Sequence, residues 1–377
     1  MSGIRKMKKI LFLIHDLGPG GAEKVLVNLV NNMDRKKYDI TVMAIFDVGI
    51  NRTFLAEHIH YKYCFKRMVR GNSHIMKLFS TQMLHKYLIK EKYDIEVAYL
   101  EGPCARIVSG CPWDDTKKFA WIHIEQHTPE KAAASFRNIS EAEKCYNKFN
   151  CINCVSEYVR KDFCKCLKIT VPTKVVYNTN ESEKIIQLSK EKIDMTFINT
   201  HDVVLVGVGK LLKSKGFDRI LKIVKRLREE TYNVGIYILG TGEEEGRLNK
   251  YIEENHLIEH AKLLGYQNNP YKYVANCDLF VCASFREGFS TAATEALIVG
   301  TPVCTVEVSG MKEMLGENNE YGIVVPNNDD ELYDAIKKLI FDKETLESYK
   351  MKALERGKRF STKETVRQVE NIIDGDY

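Results

Sequence analysis

The sequence predicts an α/β protein with two domains, each built on its own parallel sheet. The chain of 377 residues is longer than one hydrophobic core usually supports. Short apolar runs of the buried-strand type alternate with helical runs over residues 8–177 and again from residue 203. A looser, lysine-rich stretch at 178–202 separates the two alternations. We therefore predict two Rossmann-like domains facing each other across a cleft, one at 1–185 and one at 186–357.

The composition is that of a soluble globular protein, with 44% hydrophobic and 28% charged residues. Residues 1–200 contain 32 Lys and Arg against 22 Asp and Glu, whereas the remaining residues contain 24 against 29. A basic first half suits an anionic membrane surface or a phosphate-bearing acceptor. The longest apolar run at the start, 10–14, is too short for a signal peptide, and no run approaches the roughly 20 residues of a membrane span. Eleven scattered cysteines favour a reducing cytoplasm.

The first domain opens with a strand at 8–14, a glycine-rich turn and a helix at 22–33, which is typical of a nucleotide-binding unit. Gly18, Gly20 and Gly21 lack the G-x-G-x-x-G spacing, and this argues against NAD. A tight turn without a ligand is the alternative. A helix is expected at 74–90, and further strands are expected at 39–46, 93–100, 118–125, 151–155 and 174–177.

Two other features of the first domain carry functional hypotheses. Residues 60–70 interleave aromatic and basic side chains, as in segments that lie at a lipid headgroup interface. Binding of nucleic acid also fits this pattern, and a solvated loop without a binding role is a further alternative. We favour contact with a membrane. His123 lies at the end of the strand at 118–125. In open parallel sheets, functional residues are often found at the carboxyl ends of the strands.

The spacing of the cysteine pairs Cys151/Cys154 and Cys164/Cys166 is similar to the spacing of cysteine ligands in zinc sites. The first pair lies on a predicted buried strand, and the second pair is separated by one residue instead of two. We therefore do not predict zinc at these cysteines. We also interpret the Asp-Gly-Asp of the tail, at 374–376, as frayed charge and not as a metal site.

The second domain begins with a strand at 203–209 and a short basic loop before a helix at 217–227. Lys210 and Lys215 can converge on one anion from this loop, because lysine ammonium groups act as point charges for a diphosphate. A solvated loop is the alternative. Further strands are expected at 235–239, 261–265, 279–283, 303–308 and 322–326, with helices at 330–340 and 363–373.

The most informative stretch is 278–302. A buried strand is followed by a loop at 285–289 and a helix at 290–299, which Gly300 and Pro302 end. A helix that starts beyond the carboxyl end of a strand directs unpaired N–H groups toward a phosphate. Glu287 in the loop and Glu295 in the helix can bracket a polyhydroxyl ligand.

Glu287 and Glu295 with their flanking residues, Glu-Gly-Phe and Glu-Ala-Leu-Ile-Val-Gly-Thr-Pro-Val, resemble the E-x7-E signature of retaining nucleotide-sugar glycosyltransferases of the GT-B fold, family four. The resemblance covers most of the chain; it is strong over 203–326 and thin over 45–115. It implies that the last helix crosses back to the first domain, so that 358–377 belongs there. Lys210 departs from the family pattern, which has Arg at this position.

The resemblance also implies roles for individual residues. Glu287, His123, Lys215 and Lys210 would be catalytic. The donor would be bound by the following residues: Gly20, Gly21, Gly209, Tyr266, Gly288, Phe289, Ser290, Thr291 and Glu295. No metal or other cofactor is expected, since the lysines and the helix N-terminus can stabilise a departing diphosphate.

The function expected from these residues is retaining transfer of a hexose-type sugar from a nucleotide-diphosphate-sugar, expected to be a UDP-sugar. The acceptor would be a saccharide or a lipid-linked molecule in bacterial cell-surface glycan synthesis, and the enzyme would be cytoplasmic, with contact to the inner face of the membrane. The alternatives are a non-hydrolysing nucleotide-sugar epimerase, which shares the two-domain architecture, and a non-catalytic sugar-nucleotide binding module. Neither binding of nucleic acid nor a nicotinamide cofactor is expected.

Overall fold

The computed structural model describes residues 7–68 and 75–376. The described chain divides into two compact units. Unit 1 contains the residues up to Asn180 together with those from Thr362, and unit 2 contains Glu181–Ser361. The last two residues of the predicted headgroup segment, Val69 and Arg70, and the first residue of the helix predicted at 74–90 lie outside the described residues.

Unit 1 is built on a parallel sheet with the strand order β3-β2-β1-β4-β5-β6-β7. This is the Rossmann order extended by one strand, with a switch point between β1 and β4. The strands are β1 Lys8–Ile14, β2 Tyr38–Phe46, β3 His60–Phe65, β4 Ile95–Ala98, β5 Lys117–Ile122, β6 Cys151–Cys154 and β7 Thr173–Val175. The helices are α1 Gly21–Asn32, α2 Thr81–Leu88, α3 Pro103–Val108, α4 Pro129–Ala132, α5 Ile139–Tyr146 and α6 Glu157–Cys166.

Unit 2 repeats the arrangement with a six-stranded parallel sheet in the order β10-β9-β8-β11-β12-β13. Its strands are β8 Val203–Val208, β9 Val234–Leu239, β10 Ala261–Leu263, β11 Leu279–Cys282, β12 Val303–Val306 and β13 Ile323–Val325. Its helices are α7 Ser182–Ser189, α8 Thr196–Asn199, α9 Phe217–Glu229, α10 Glu245–Glu254, α11 Tyr271–Asn276, α12 Thr291–Val299, α13 Met311–Leu315, α14 Asp329–Phe341 and α15 Lys343–Gly357.

Both sheets are buried on their two faces, which is why their central strands are continuous apolar runs and not alternating ones. Residues 10–14 of β1 and 203–207 of β8 are buried throughout. Amphipathic helices cover the sheets; in α9 the buried stripe includes Ile220, Val224 and Leu227. The predicted α/β architecture with two Rossmann-like sheets is confirmed.

The last helix, α16 Thr362–Asp374, belongs to unit 1 and packs on α1. Val369 and Ile373 are buried in the core of that unit. Asp374 accepts hydrogen bonds from Lys8 Nζ at 2.7 Å and Tyr38 Oη at 3.1 Å. The predicted return of the C-terminal helix is therefore confirmed, whereas the interpretation of Asp374 as frayed charge is wrong, because its carboxylate ties the helix end to β1 and β2.

The structure also differs from the sequence-based expectations in three elements. Residues 60–65, for which no strand was predicted, form the edge strand β3 beside β2. The single helix expected over 74–90 is interrupted, and α2 begins only after Ser80, whose side chain accepts a hydrogen bond from Met83 N–H. Helix α15 was not predicted. Among the described residues, no helix combines the length and apolar character that a membrane crossing requires.

We expect the buried face of α16 to be important for the stability of unit 1. Replacing Ile373, which is fully buried, by Ala should lower the free energy of unfolding of this unit by about 2–5 kcal/mol, because the substitution leaves a cavity. The matched control is Ile50→Ala, since this isoleucine of unit 1 is 53% exposed and its loss should change stability by no more than about 0.5 kcal/mol. Urea titration measures both. Equal effects of the two substitutions would contradict the role of α16.

Candidate active site

The predicted site residues of unit 2 lie at the carboxyl edge of its sheet, in the loops that follow the strands and in α12, which contains Thr291 and Glu295. The loops after β8 and β11 are neighbours, because these two strands pair with each other although they are not consecutive in sequence. This is the topological switch point of the sheet, where the connections leave in opposite directions and open a crevice.

Lys215 and Glu287 meet at this point. Lys215 Nζ donates to Glu287 Oε1 at 2.6 Å, and the side chains are 28% and 11% exposed. Ser284 Oγ donates to the same carboxylate oxygen at 2.8 Å. Burial, followed by the charge of Glu287, raises the pKa of the nearby Cys282 thiol. The pair presents one cation and one anion at a sheltered edge, and the second carboxylate oxygen is available to a hydroxyl group.

The glycine that follows Lys215 makes this meeting possible. Gly216 has φ +66°, in the left-handed region, and a Cβ there would collide with the carbonyl oxygen of Ala283. Next to this contact, Phe285 N–H donates to the carbonyl of Ser214 at 2.8 Å. The loop carrying Lys215 is thus fixed directly on the loop carrying Glu287.

A buried arginine supports both loops from below. Arg219, on the first turn of α9, is 2% exposed and donates Nη1–H groups to Ala283 O and Asn327 Oδ1, each at 2.8 Å. Its Nε donates to Asp329 Oδ1 at 2.5 Å, and its guanidinium lies 4.8 Å from the centre of the Phe285 ring. The planar donor fork lets one side chain hold three segments at once.

Helix α12 starts at Thr291, three residues after Gly288. Ser290 caps it by accepting from Ala293 N–H, and Gly300 ends it in the left-handed conformation, as predicted. Thr291 and Ala292 form the start of the first turn, so their backbone N–H groups have no carbonyl acceptor within the helix. Phe289 is buried and packs against Phe360, which anchors the loop between strand and helix.

Glu295 lies in the second turn of α12. Its side chain is buried, and Tyr271 Oη of α11 is 3.5 Å from Oε1. The structure therefore places Glu295 on the helix that starts at the Glu287 loop, facing a different neighbour from Lys215.

Three more predicted residues of unit 2, Gly209, Lys210 and Tyr266, lie in the loops after β8 and β10. Lys210 is exposed, and among the described residues its side chain makes no salt bridge. Gly209 N–H donates to Leu239 O at 3.0 Å, and Gly240 N–H donates to Gly265 O at 2.8 Å, so that the loops after β8, β9 and β10 form one connected edge. Tyr266, which follows Gly265, is 64% exposed and available for stacking.

In unit 1 the predicted residues also lie at the carboxyl edge of the sheet. Gly20 is the N-cap of α1, and a side chain at Gly21 would enter open space. His123 follows β5 directly; it packs 5.0 Å from the Tyr99 ring, and its backbone N–H donates to Glu101 Oε2 at 3.2 Å. Its Nε2 is buried without a hydrogen-bond partner among the described residues.

Burial lowers the pKa of His123 from 6.5 to about 4, and a hydrogen bond with the Tyr99 backbone opposes this shift only in part. The imidazole is therefore neutral at physiological pH. A neutral ring with a vacant hydrogen-bonding nitrogen suits contact with a hydroxyl group rather than a phosphate.

Ser284, Gly216 and Arg219 were not among the predicted site residues. Gly216 had a visible signal, since it stands between Lys215 and the start of an amphipathic helix. Arg219 had none, because its partners lie 64, 108 and 110 positions away in the sequence.

We expect His123 to stay neutral from pH 8 down to pH 5, with an NMR titration midpoint near 4. Because its folded pKa lies below the unfolded value, the unfolded chain binds the proton first, and stability should fall as the pH drops from about 6.5 to 4. His123→Gln should remove this contribution. A midpoint near 6.5 would contradict the burial argument.

The sequence of this chain is similar to those of known glycosyltransferases. Residues 189–356 match the family model described as glycosyl transferases group 1. The chain is 28% identical, over 94% of its length and 96% of that protein, to N-acetylgalactosamine-N,N'-diacetylbacillosaminyl-diphospho-undecaprenol 4-alpha-N-acetylgalactosaminyltransferase of Campylobacter jejuni. It is also 28% identical to the capsular polysaccharide biosynthesis glycosyltransferase CapM of Staphylococcus aureus, over 48% of each chain.

Among solved structures, Alr3699/HepE of Anabaena in complex with UDP and glucose superposes with a TM-score of 0.77. The two chains share 20% identity, and the alignment covers 98% of this chain and 100% of that one. The family match, the bacterial relatives and the shared fold together support a glycosyltransferase of the GT-B fold.

Proposed function

We propose that this protein is a retaining glycosyltransferase that moves a hexose-type sugar from a UDP-sugar to a saccharide or lipid-linked acceptor in cell-surface glycan synthesis. The observation that carries the proposal is the Lys215–Glu287 pair at the switch point of unit 2. It puts a cation and a carboxylate within one ligand's reach, beside the start of a capped helix.

The donor diphosphate is assigned to the cationic part of this edge. Lys215 has ammonium hydrogens beyond the one directed at Glu287, Lys210 is exposed in the same loop, and Thr291 and Ala292 offer first-turn N–H groups. When the bond between the anomeric carbon and the diphosphate breaks, negative charge grows on the leaving oxygens. Positive groups fixed there beforehand stabilise that charge without reorganising, and this chemistry needs no metal.

The sugar and the nucleoside are assigned to the polar groups around the phosphates. Glu287, with the backbone of Gly288, Phe289 and Ser290, would bind sugar hydroxyls, and Glu295 would bind the ribose. The loop with Gly265 and Tyr266 would contact the base. The solved complex of Alr3699/HepE with UDP and glucose supports UDP as the nucleotide part of the donor.

Retention of configuration is assigned to attack by the acceptor on the face of the leaving group. Glu287 is already paired with Lys215 and Ser284, so it positions the sugar and does not form a covalent intermediate. Unit 1 would contribute Gly20, Gly21 and the neutral His123 to the binding of donor and acceptor. The Campylobacter relative, whose name includes a diphospho-undecaprenol acceptor, supports a lipid-linked substrate.

A membrane-facing surface in unit 1 would serve such an acceptor. We define the apolar turn as residues 75–79; Leu78 is 77% exposed and Ile75 is 50% exposed. Buried Arg106 holds the turn by donating to Met76 O at 2.7 Å and Phe79 O at 2.8 Å, so the exposure is a fixed feature. Met83 and Tyr87 of α2 extend the exposed apolar surface, with Lys86 exposed between them. Exposed apolar groups beside cations fit an anionic bilayer at the cytoplasmic face.

Glu287→Ala, Lys215→Ala and Lys210→Ala should each reduce sugar transfer by about 100-fold or more, since each removes a group that acts on the departing diphosphate or the sugar. The control is Lys213→Ala, an exposed lysine of the same loop. Transfer is measured with a panel of UDP-sugars, without added magnesium or manganese, and the anomeric configuration of the product is read by NMR. Unchanged transfer in both the Lys210 and the Lys215 variant would contradict the proposed phosphate site. A product with inverted anomeric configuration, or a free epimer of the donor sugar, would contradict the proposed reaction.

Leu78→Asp should weaken binding to vesicles of anionic lipid by about tenfold or more, because a buried leucine contributes roughly 1.5–3 kcal/mol and the new charge is repelled. Vesicle sedimentation measures the effect. Met351→Asp, at a 70% exposed position of unit 2, is the control. Equal binding of the two variants would contradict a membrane role for the apolar turn.

A further inference from the structure

A second group of reactive side chains lies in unit 1, away from the carboxyl edge of its sheet. Glu96 is the second residue of β4, near the amino end of that strand. It faces His85 of α2 and Cys111, which follows α3. Within the described parts of the chain, these three residues are the group of potential metal ligands whose donor atoms all lie within 4.8 Å of one another.

The distances between the donor atoms approach those of a tetrahedral zinc site. His85 Nε2 is 2.9 and 3.0 Å from the two carboxylate oxygens of Glu96, and Cys111 Sγ is 3.6 Å from Oε1. With ordinary zinc bond lengths, the edges of a tetrahedron would be about 3.4 Å between nitrogen and oxygen and about 3.6 Å between sulfur and oxygen. The third distance, between His85 Nε2 and Cys111 Sγ, is no more than 4.8 Å, so one ion can lie among the three donors after small side-chain movements.

The surroundings of these donor atoms also suit a metal ion. His85 and Glu96 are both fully buried, and His85 Nδ1 has no hydrogen-bond partner among the described residues. Buried polar groups need partners, and a cation coordinated by His85, Glu96 and Cys111 would supply one to each of them.

We propose that His85, Glu96 and Cys111 bind a structural zinc ion. One Zn²⁺ with a thiolate, a carboxylate and a neutral imidazole is electrically neutral, and binding releases the Cys111 thiol proton to solvent. The mixture of sulfur, nitrogen and oxygen donors favours zinc over magnesium or calcium. Cys111 is only partly buried, which leaves room for a water molecule as the fourth ligand.

Such an ion would join three segments that are separate in sequence: α2, β4 and the turn after α3. This role is structural and independent of the proposed transferase chemistry, which needs no metal. It also differs from the zinc spacing of the cysteine pairs at 151–154 and 164–166, because none of those cysteines belongs to the group.

The test uses the full chain, purified without a metal-affinity tag. We expect about one zinc per chain by elemental analysis, and a rise in the unfolding temperature of roughly 5–10 °C at free zinc about 100 times the Kd. Cobalt substitution should give a thiolate-to-cobalt absorption band. Cys111→Ser should lose the zinc, the band and the thermal shift, whereas Cys164→Ser, which changes the exposed cysteine of the same unit, should keep all three.

Two results would overturn the proposal. One is a wild-type chain that binds no zinc and whose unfolding temperature is the same with zinc and with chelator. The other is zinc retained equally in Cys111→Ser and wild type, which would place the ion elsewhere. Since the conservative Cys111→Ser substitution changes only a sulfur, its circular dichroism spectrum checks that loss of zinc is not loss of fold.

Discussion

The candidate site of unit 2 depends on the close approach of two loops that are about seventy residues apart in sequence. The absence of a side chain at Gly216 lets the loop after β8 rest on the carbonyl of Ala283 at the end of β11. Lys215 and Glu287, one on each loop, then meet without having to extend into solvent. The positive φ of Gly216 is a local cost that only glycine accepts easily, and it is offset by the ion pair and the hydrogen bonds around it.

Buried arginines fix the loops of both units. Arg219 binds the backbone after β11 and the polar residues Asn327 and Asp329 at the start of α14, and Arg106 binds two carbonyls of the apolar turn. In each case the arginine is almost completely buried and its guanidinium donates at least three hydrogen bonds, so that its burial is tolerable. The two buried arginines thus fix the conformation of surface loops that have no regular secondary structure. His123, by contrast, remains neutral because burial lowers its pKa and because no described residue forms a hydrogen bond with its Nε2.

Much of the fold could be predicted because its signals are local. The apolar run of β8, the Ser290 cap and the Gly300 stop each act through neighbouring residues, and the structure has them as predicted. Helix α15 could not be predicted in the same way, since its buried residues Leu346, Tyr349 and Ala353 form only a sparse stripe. Arg219 and the His85–Glu96–Cys111 group depend on contacts between distant segments, which a single sequence does not encode in any short pattern. Residues 60–65 pair with the edge of β2, and their aromatic residues Tyr61, Tyr63 and Phe65 have high β-propensity, a local signal that the sequence analysis did not use.

The membership of α16 in unit 1 has a consequence for biosynthesis. Residues 362–374 complete a core that residues 10–176 begin, while unit 2 lies wholly between these segments. A chain emerges from the ribosome with its N-terminal residues first. Unit 2 can therefore finish folding while the face of α1 that contacts α16 is still uncovered. During translation that apolar face is open to chaperones, and its closure coincides with the appearance of the final helix.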